Sequence, residues 1–282
     1  MTRTAAKQAT ENNPLPPHST LNKIIGMRVL EELFSLRDRA ALITGGSSGI
    51  GYAMAEAIAL AGARTVLLAR REAELKAAAE RIRQQGGEVH WVSADVADRG
   101  RLAEAAEEAV RLVGEVDVLV NCAGVNPRPP LGTQTLEDYD EILAANLAGP
   151  YQLGQRFGPR MAERGWGRII NIGSQQSVSA FGDSGVYGVA KAGLTGLTRS
   201  QAEAWSRSGV CVNTVIPGFV LTPLTAVAAS DPERVKALAA RAMAGRNGLP
   251  EDFRGVALFL ASNASAYVTG QMVFVDGGFS VH

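Results

Sequence analysis

Apolar residues along this chain fall into short runs separated by longer, helically periodic stretches, and the alternation begins near Arg39. The short runs are Ala40–Thr44, Arg64–Ala69, Glu88–Ser93, Val116–Asn121, Gly167–Ile172, Val210–Ile216 and Met272–Val275. Between them lie Ile50–Gly62, Glu72–Gln85, Arg99–Val113, Leu136–Arg164, Tyr187–Arg207 and Pro250–Leu260, each repeating apolar residues at helical spacing. A strand that returns to its neighbour through a helix must pair in parallel, and a parallel sheet needs cover on both faces. Val116-Asp-Val-Leu-Val120 agrees, because a strand buried on both sides need not alternate. The pattern therefore predicts an α/β chain, a single doubly wound domain built on a seven-stranded parallel sheet with helices on both faces.

Outside that alternation the pattern changes. Residues 1–22 are polar and Pro-containing and read as a flexible tail, leaving 23–282 as the domain. Ile24 to Leu36 carries apolar residues at near-helical spacing and predicts a short lead-in helix, packed on the domain or on a partner subunit. The connection from about 218 to 247 is longer than most and holds its own Ala-rich helical stretch, Pro232–Met243. Insertions of this kind are more often lids than filler.

The turn after the first strand, Thr44-Gly-Gly-Ser-Ser-Gly-Ile-Gly51, carries the first chemical signal. Gly45 permits the sharp exit from the strand, Gly49 lets backbone approach a bound pyrophosphate, and Gly51 lets the helix pack on the sheet. The helix N-terminus then directs its N–H groups and its positive dipole end at the phosphates. Thr44, Gly45, Ser47, Ser48, Gly49, Ile50 and Gly51 are the candidate cradle of a Rossmann-type dinucleotide fold. Taken alone, the spacing also fits a glycine-rich turn that binds nothing.

The second strand ends Ala69-Arg70-Arg71, with no carboxylate to receive a ribose 2′-OH. Two guanidiniums suit a 2′-phosphate, so the cofactor expected is NADP (NADPH) in preference to NAD. The alternative is two solvated arginines at a helix start, which the helix dipole disfavours. Asp95-Val96 ends the third strand, where the carboxylate suits an adenine amino group or, equally, caps a turn. Asn121-Cys-Ala-Gly124 ends the fourth; its small residues, Ala123 and Gly124 beside Asn121, allow close approach to a cofactor or form a plain strand-to-loop turn.

Tyr187-Gly-Val-Ala-Lys191 puts a phenol and an amine one helical turn apart. A tyrosine ordinarily titrates near 10, and a neighbouring ammonium lowers that by stabilising phenolate. The pair is a usable proton donor and acceptor without histidine. By itself it also fits an exposed helix face; its position after the fifth strand raises it. Ser174, just past that strand, can hold a carbonyl oxygen beside the tyrosine, with Ser177 and Ser179 as competing hydroxyls.

Composition narrows the rest. Net formal charge is zero over 282 residues, so nothing points to nucleic acid. The three histidines (His18, His90, His282) are scattered, which leaves no metal site and no Ser-His-Asp arrangement. Cys122 and Cys211 lie in apolar segments and read as reduced thiols. No apolar run is long enough to span a membrane and no secretory h-region opens the chain, so a cytoplasmic location is expected.

In order along the chain, Thr44–Gly51, Asn121–Gly124, Ser174 thirteen residues before Tyr187, Lys191 and Pro217-Gly218 resemble the short-chain dehydrogenases/reductases, from about Leu33 onward. The resemblance implies an NAD(P)-dependent oxidoreductase acting on CH–OH groups. It implies Asn146 as a fourth catalytic member, anchoring a water that relays protons to Lys191; the residue pattern alone reads Asn146 as a helix-interior polar side chain. It further implies that Lys191 bonds the nicotinamide ribose and that Pro217, Gly218, Val220 and Thr222 flank the nicotinamide. Cys122 stands where the family usually has a second Asn. Ser48 stands where many NADP-dependent members carry a basic residue, which leaves Arg70 as the main support for NADP.

The chain looks most like family members acting on sugar acids, of the gluconate 5-dehydrogenase type, with 3-oxoacyl-carrier-protein reductases and broad carbonyl reductases as alternatives, and a nucleotide-binding sensor or scaffold as the non-enzymatic one. Arg128, Gln175 and Gln176 are candidates for holding substrate hydroxyls or a carboxylate, beside Ser174 and Tyr187. Small residues on the two long helices, with the family resemblance, lead to the expectation of a homotetramer.

Overall fold

The computed structural model describes residues 28–127, 130–182 and 184–282. The expected tail at 1–22 lies outside the described residues; of the lead-in segment, residues 28–34 are helical, and Leu36 just after them is fully buried.

Seven strands form one sheet in the order β3-β2-β1-β4-β5-β6-β7. They are β1 (Ala40–Thr44), β2 (Arg64–Ala69), β3 (Val89–Ser93), β4 (Val118–Asn121), β5 (Gly167–Ile172), β6 (Val210–Pro217) and β7 (Met272–Val275), and every pair is parallel. The helices α1 (Gly49–Leu60), α2 (Glu72–Gln84) and α9 (Arg254–Ala261) cover one face. The other face carries α3 (Arg99–Val113), α5 (Gly149–Glu163) and α6 (Gly185–Trp205). Leu42 and Leu68 point to one apolar layer while Ile43 and Leu67 point to the other, which is why these strands have no polar side. The sheet winds in opposite directions on either side of β1 and β4. That switch point opens a crevice at the carboxyl ends of the strands, where open α/β sheets take their ligands.

One predicted helix is divided. Leu136–Arg164 reads as continuous in the sequence; it is α4 (Leu136–Leu143), a π-turn over Ala144–Ala148, then α5. Pro150 has no N–H to continue the α ladder, and the Gly149 N–H instead reaches back to the Ala144 carbonyl. Pro250–Leu260 likewise begins as a 3-10 turn, Pro250–Phe253, before α9.

The long connection after β6 carries α7 (Ala226–Ala229) and α8 (Pro232–Arg241). Its two ends are pinched together: the Leu221 N–H donates to the Gly248 carbonyl (3.1 Å) and the Gly248 N–H to the Phe219 carbonyl (2.9 Å).

Candidate active site

The crevice is a cavity of about 560 Å³, floored by the strand ends and walled by α1, α6 and the long connection. At its phosphate end, Gly45 (φ 69°) and Gly49 (φ 56°) both adopt left-handed backbone that other residues resist. A Cβ on Gly51 would collide with the Gly45 carbonyl oxygen, so the loop closes tightly only with glycine there. Ser48 caps α1 without a side-chain hydrogen bond, which leaves the first-turn N–H groups to an outside acceptor. Ser47, Ser48, Gly49 and Ile50 all line the cavity.

Thr44 and Asn121 do not line it. The Thr44 hydroxyl accepts from the N–H groups of Cys122 and Ala123, both at 3.0 Å, and so pins the end of β4 to the end of β1. Asn121 donates to Asn171 Oδ1 (2.8 Å), and Asn171 donates to the Thr198 hydroxyl (2.9 Å), a buried chain under the floor. Ala123 and Gly124, held by that clamp, face the cavity.

At the far end, Arg70, Arg71, Asp95 and Val96 lie together. Asp95 Oδ1 accepts from the Ala97 N–H (2.9 Å), capping the turn, and Oδ2 stands 3.6 Å from the Arg70 guanidinium. Arg71 is paired with Glu74, one turn into α2.

Tyr187 and Lys191 lie in α6, both buried, at 6% and 4% exposure. The Lys191 ammonium is 5.6 Å from the centre of the Tyr187 ring and donates to the Ile172 carbonyl at 2.8 Å. Burial pulls the Lys191 pKa down to about 8, against a smaller opposing influence from Cys122. Burial pushes the Cys122 thiol up to about 11, so it is no thiolate nucleophile. Ser174, at the start of the 3-10 turn Gln175–Ser177, lines the cavity; its Oγ accepts from the Gln176 N–H at 3.2 Å. Of the competing hydroxyls, Ser177 donates to the Lys191 carbonyl (3.0 Å), and neither it nor Ser179 reaches the cavity wall.

Asn146 sits in the π-turn, fully buried behind the cavity wall. Its amide nitrogen donates to the carbonyls of Val125 and Ile142, both at 2.9 Å. Its Oδ1 is buried with no hydrogen-bond partner. The wide turn that places it was signalled in the sequence only by Gly149-Pro150.

On the substrate side Gln175 and Gln176 line the cavity; the Gln175 side chain faces the Asp276 carboxylate and helps hold its pKa down, and Gln176 Oε1 is buried without a hydrogen-bond partner. Arg128 lies outside the described residues. Pro217, Gly218, Val220 and Thr222 form the opposite wall, and a Cβ on Gly49 would stand 3.2 Å from the Thr222 methyl. Glu141, Phe181, Phe219, Leu224, Arg234 and Leu238 also line the wall; no single spacing in the sequence announces them, because they come from α4, the loop after β5 and the long connection after β6. Among the described residues no His, Cys, Asp or Glu cluster could hold a metal, and no helix is long and apolar enough to cross a membrane.

The sequence of residues 45–280 matches the family model described as "Enoyl-(Acyl carrier protein) reductase". The gluconate 5-dehydrogenase of Gluconobacter oxydans (strain 621H) is 35% identical over 250 residues, covering 89% of this chain and 98% of that protein. The 3-oxoacyl-[acyl-carrier-protein] reductase of Aquifex aeolicus (strain VF5) is 35% identical over 244 residues, covering 86% and 98%. Among solved structures, a gluconate 5-dehydrogenase from Burkholderia cenocepacia J2315 in complex with NADP and tartrate superposes with a TM-score of 0.84 at 36% identity, over 89% of this chain and 99% of that one. With the glycine turn at the switch point, the buried Tyr187 and Lys191, and near-complete coverage of these relatives, the chain belongs to the short-chain dehydrogenase/reductase family of oxidoreductases acting on CH–OH groups.

Proposed function

We propose that the protein is an NADP-dependent oxidoreductase that interconverts a ketone and a secondary alcohol on a small, polar substrate of the sugar-acid type, with residues 218–247 as its lid. The observation that carries the reading is the buried Tyr187–Lys191 pair sharing one cavity with Ser174 and the glycine turn.

The cavity suits a dinucleotide. The first turn of α1, with no side-chain cap, would offer N–H donors to a pyrophosphate, and Arg70 and Arg71, which line the same cavity, would be the residues to meet a 2′-phosphate. A nicotinamide held there would supply or accept the hydride. Ser174 and Tyr187 hold the substrate oxygen, and the Tyr187 hydroxyl gives or takes its proton. Lys191, as the ammonium, favours the phenolate. Asn146 Oδ1, buried and unpaired, is the acceptor suited to hold a water between itself and Lys191. Positioning accounts for much of the rate, with charge stabilisation at the substrate oxygen for the rest.

The substrate class rests on Gln176, whose buried Oε1 is left for a ligand's hydroxyl, with Gln175 beside it in the cavity wall. The NADP and tartrate in the Burkholderia structure support both parts of the reading. The apolar lid side chains Leu224 and Leu238 favour 3-oxoacyl thioesters as the second reading. NADPH oxidation with a panel of keto-sugar acids, simple ketones and acetoacetyl thioesters separates the two. Nucleotide binding without any turnover in that panel would overturn both in favour of a sensor. A homotetramer in the cytoplasm completes the proposal; light scattering that gives a monomer would overturn the assembly.

A further inference from the structure

The segment after β7 contacts both the Phe181 loop and the long connection after β6. Asp276 accepts from the N–H groups of Gly278 (3.0 Å) and Ser280 (2.9 Å), which coils residues 276–281 into a tight turn. Gly277 and Gly278 take positive φ, 63° and 81°, and the turn leans on the lid: the Ala244 N–H donates to the Gly277 carbonyl at 2.9 Å. The turn drives Phe279 inward to 3% exposure. The Phe279 ring stacks on Phe181 with centroids 6.3 Å apart and planes at 29°. The guanidinium of Arg241, the last residue of lid helix α8, lies 4.3 Å from the centre of the same ring. His282 Nδ1 donates to the Arg241 carbonyl at 2.9 Å. Phe181 in turn lines the active-site cavity, on the loop that begins at Ser174 and Gln175.

We propose that Phe279 is a positioning residue for substrate: one buried ring that fixes the Phe181 loop and the end of the lid helix against each other. The proposal rests on the substrate pocket assigned above. The physical reason is economy of anchoring. The Phe181 loop runs from β5 to α6 and the lid from β6 to α9, so no backbone ladder joins them. Aromatic stacking and a cation over a ring face are directional as well as apolar, so Phe279 sets an orientation and not merely a separation. Behind it lies a second, smaller cavity of about 300 Å³, which Phe219 and Leu238 share with the main one. Without the ring, the lid helix and the loop have room to drift apart.

A double-mutant cycle in the full-length protein tests this. In Phe279→Ala the KM for the best substrate of the panel rises about tenfold (one step of ~1.4 kcal/mol) while NADPH affinity is retained. Phe279→Leu, which keeps apolar volume, recovers part of the loss. Phe181→Ala shows the same rise, and the double variant is no worse than either single one, because both act through one contact. Additive losses overturn the proposal, as does a fall in kcat and NADPH affinity together. Amide hydrogen exchange gives the readout that needs no turnover: Phe279→Ala should speed exchange in residues 176–182 and 232–243 and leave 45–60 unchanged. If the wild type turns over nothing, the assigned function fails, yet the exchange result still decides the role of Phe279; uniform acceleration or none overturns it.

Discussion

Asn146 and Lys191 face each other across the bare Cα of Gly124. A methyl group on Gly124 would stand 2.5 Å from Asn146 Oδ1 and 3.6 Å from Lys191 Nζ. Asn146 cannot swing aside, because both of its amide hydrogens are committed to the Val125 and Ile142 carbonyls. Gly124→Ala is therefore expected to disturb the proton path, with a stability cost of about 1–3 kcal/mol from overpacking. Steady-state kinetics should show kcat reduced at least about tenfold, the equivalent of ~1.4 kcal/mol in the barrier; unchanged kcat would contradict the arrangement.

The phenol is the simplest target. Tyr187→Phe removes one hydroxyl from a buried ring and keeps its packing. Turnover should be abolished while NADPH binding, followed by fluorescence, stays close to wild type. Retained turnover would remove Tyr187 from the proton-transfer role.

At the proposed adenosine end, Arg70 is more than half exposed and already faces Asp95, so a pairing with a 2′-phosphate would be partly screened. Arg70→Ala should raise the KM for NADP about tenfold, ~1.4 kcal/mol, and change that for NAD little. Equal effects on the two nucleotides would remove the 2′-phosphate from the Arg70 role.

Burial moves two neighbouring groups in opposite directions, and the signs can be followed. Lys191 falls from an ordinary 10.5 to about 8, so between these pH values the unfolded chain binds a proton that the folded one does not, and stability rises with pH. Cys122 climbs from 9.0 to about 11, so between these values the folded chain keeps a proton that the unfolded one loses, and stability falls with pH. The two slopes oppose each other from about pH 9 to 10.5. Urea unfolding of nucleotide-free protein should show Cys122→Ala gaining stability relative to wild type from pH 9 to 11, and Lys191→Met losing the rise that starts near pH 8. Parallel curves for wild type and Cys122→Ala would mean the thiol is not desolvated.

Thr44 supplies a stability test away from the chemistry. Its hydroxyl is the acceptor for two backbone N–H groups, those of Cys122 and Ala123. Thr44→Val keeps the shape and removes that acceptor, at an expected cost of ~1–3 kcal/mol per orphaned donor. Denaturant midpoints measure it. A neutral substitution would mean the Asn121–Gly124 turn is held by something else.

The sheet was legible in the order of residues alone. Continuous apolar strands separated by amphipathic helices leave parallel pairing with two covered faces as the way to bury those residues, and all seven strands lie where the pattern put them, to within two residues. The same order also exposed the glycine turn and the Tyr187–Lys191 spacing, because left-handed φ and an i, i+4 face are local properties of the chain. Tertiary structure decided what depends on meetings between distant segments. Thr44 and Asn121 read as cofactor neighbours; the Thr44 hydroxyl and the Asn121 amide N–H also bind the scaffold, through contacts fixed by which strands lie side by side. Asn146 could not be selected by periodicity, since it sits in a π-turn that arises where Pro150 breaks the ladder. Phe279 carries no signal of its own; it matters only because β7 ends between the lid and the loop of Phe181. Helices and strands are written in neighbouring residues, whereas a pocket is written in contacts between residues that are far apart in the chain.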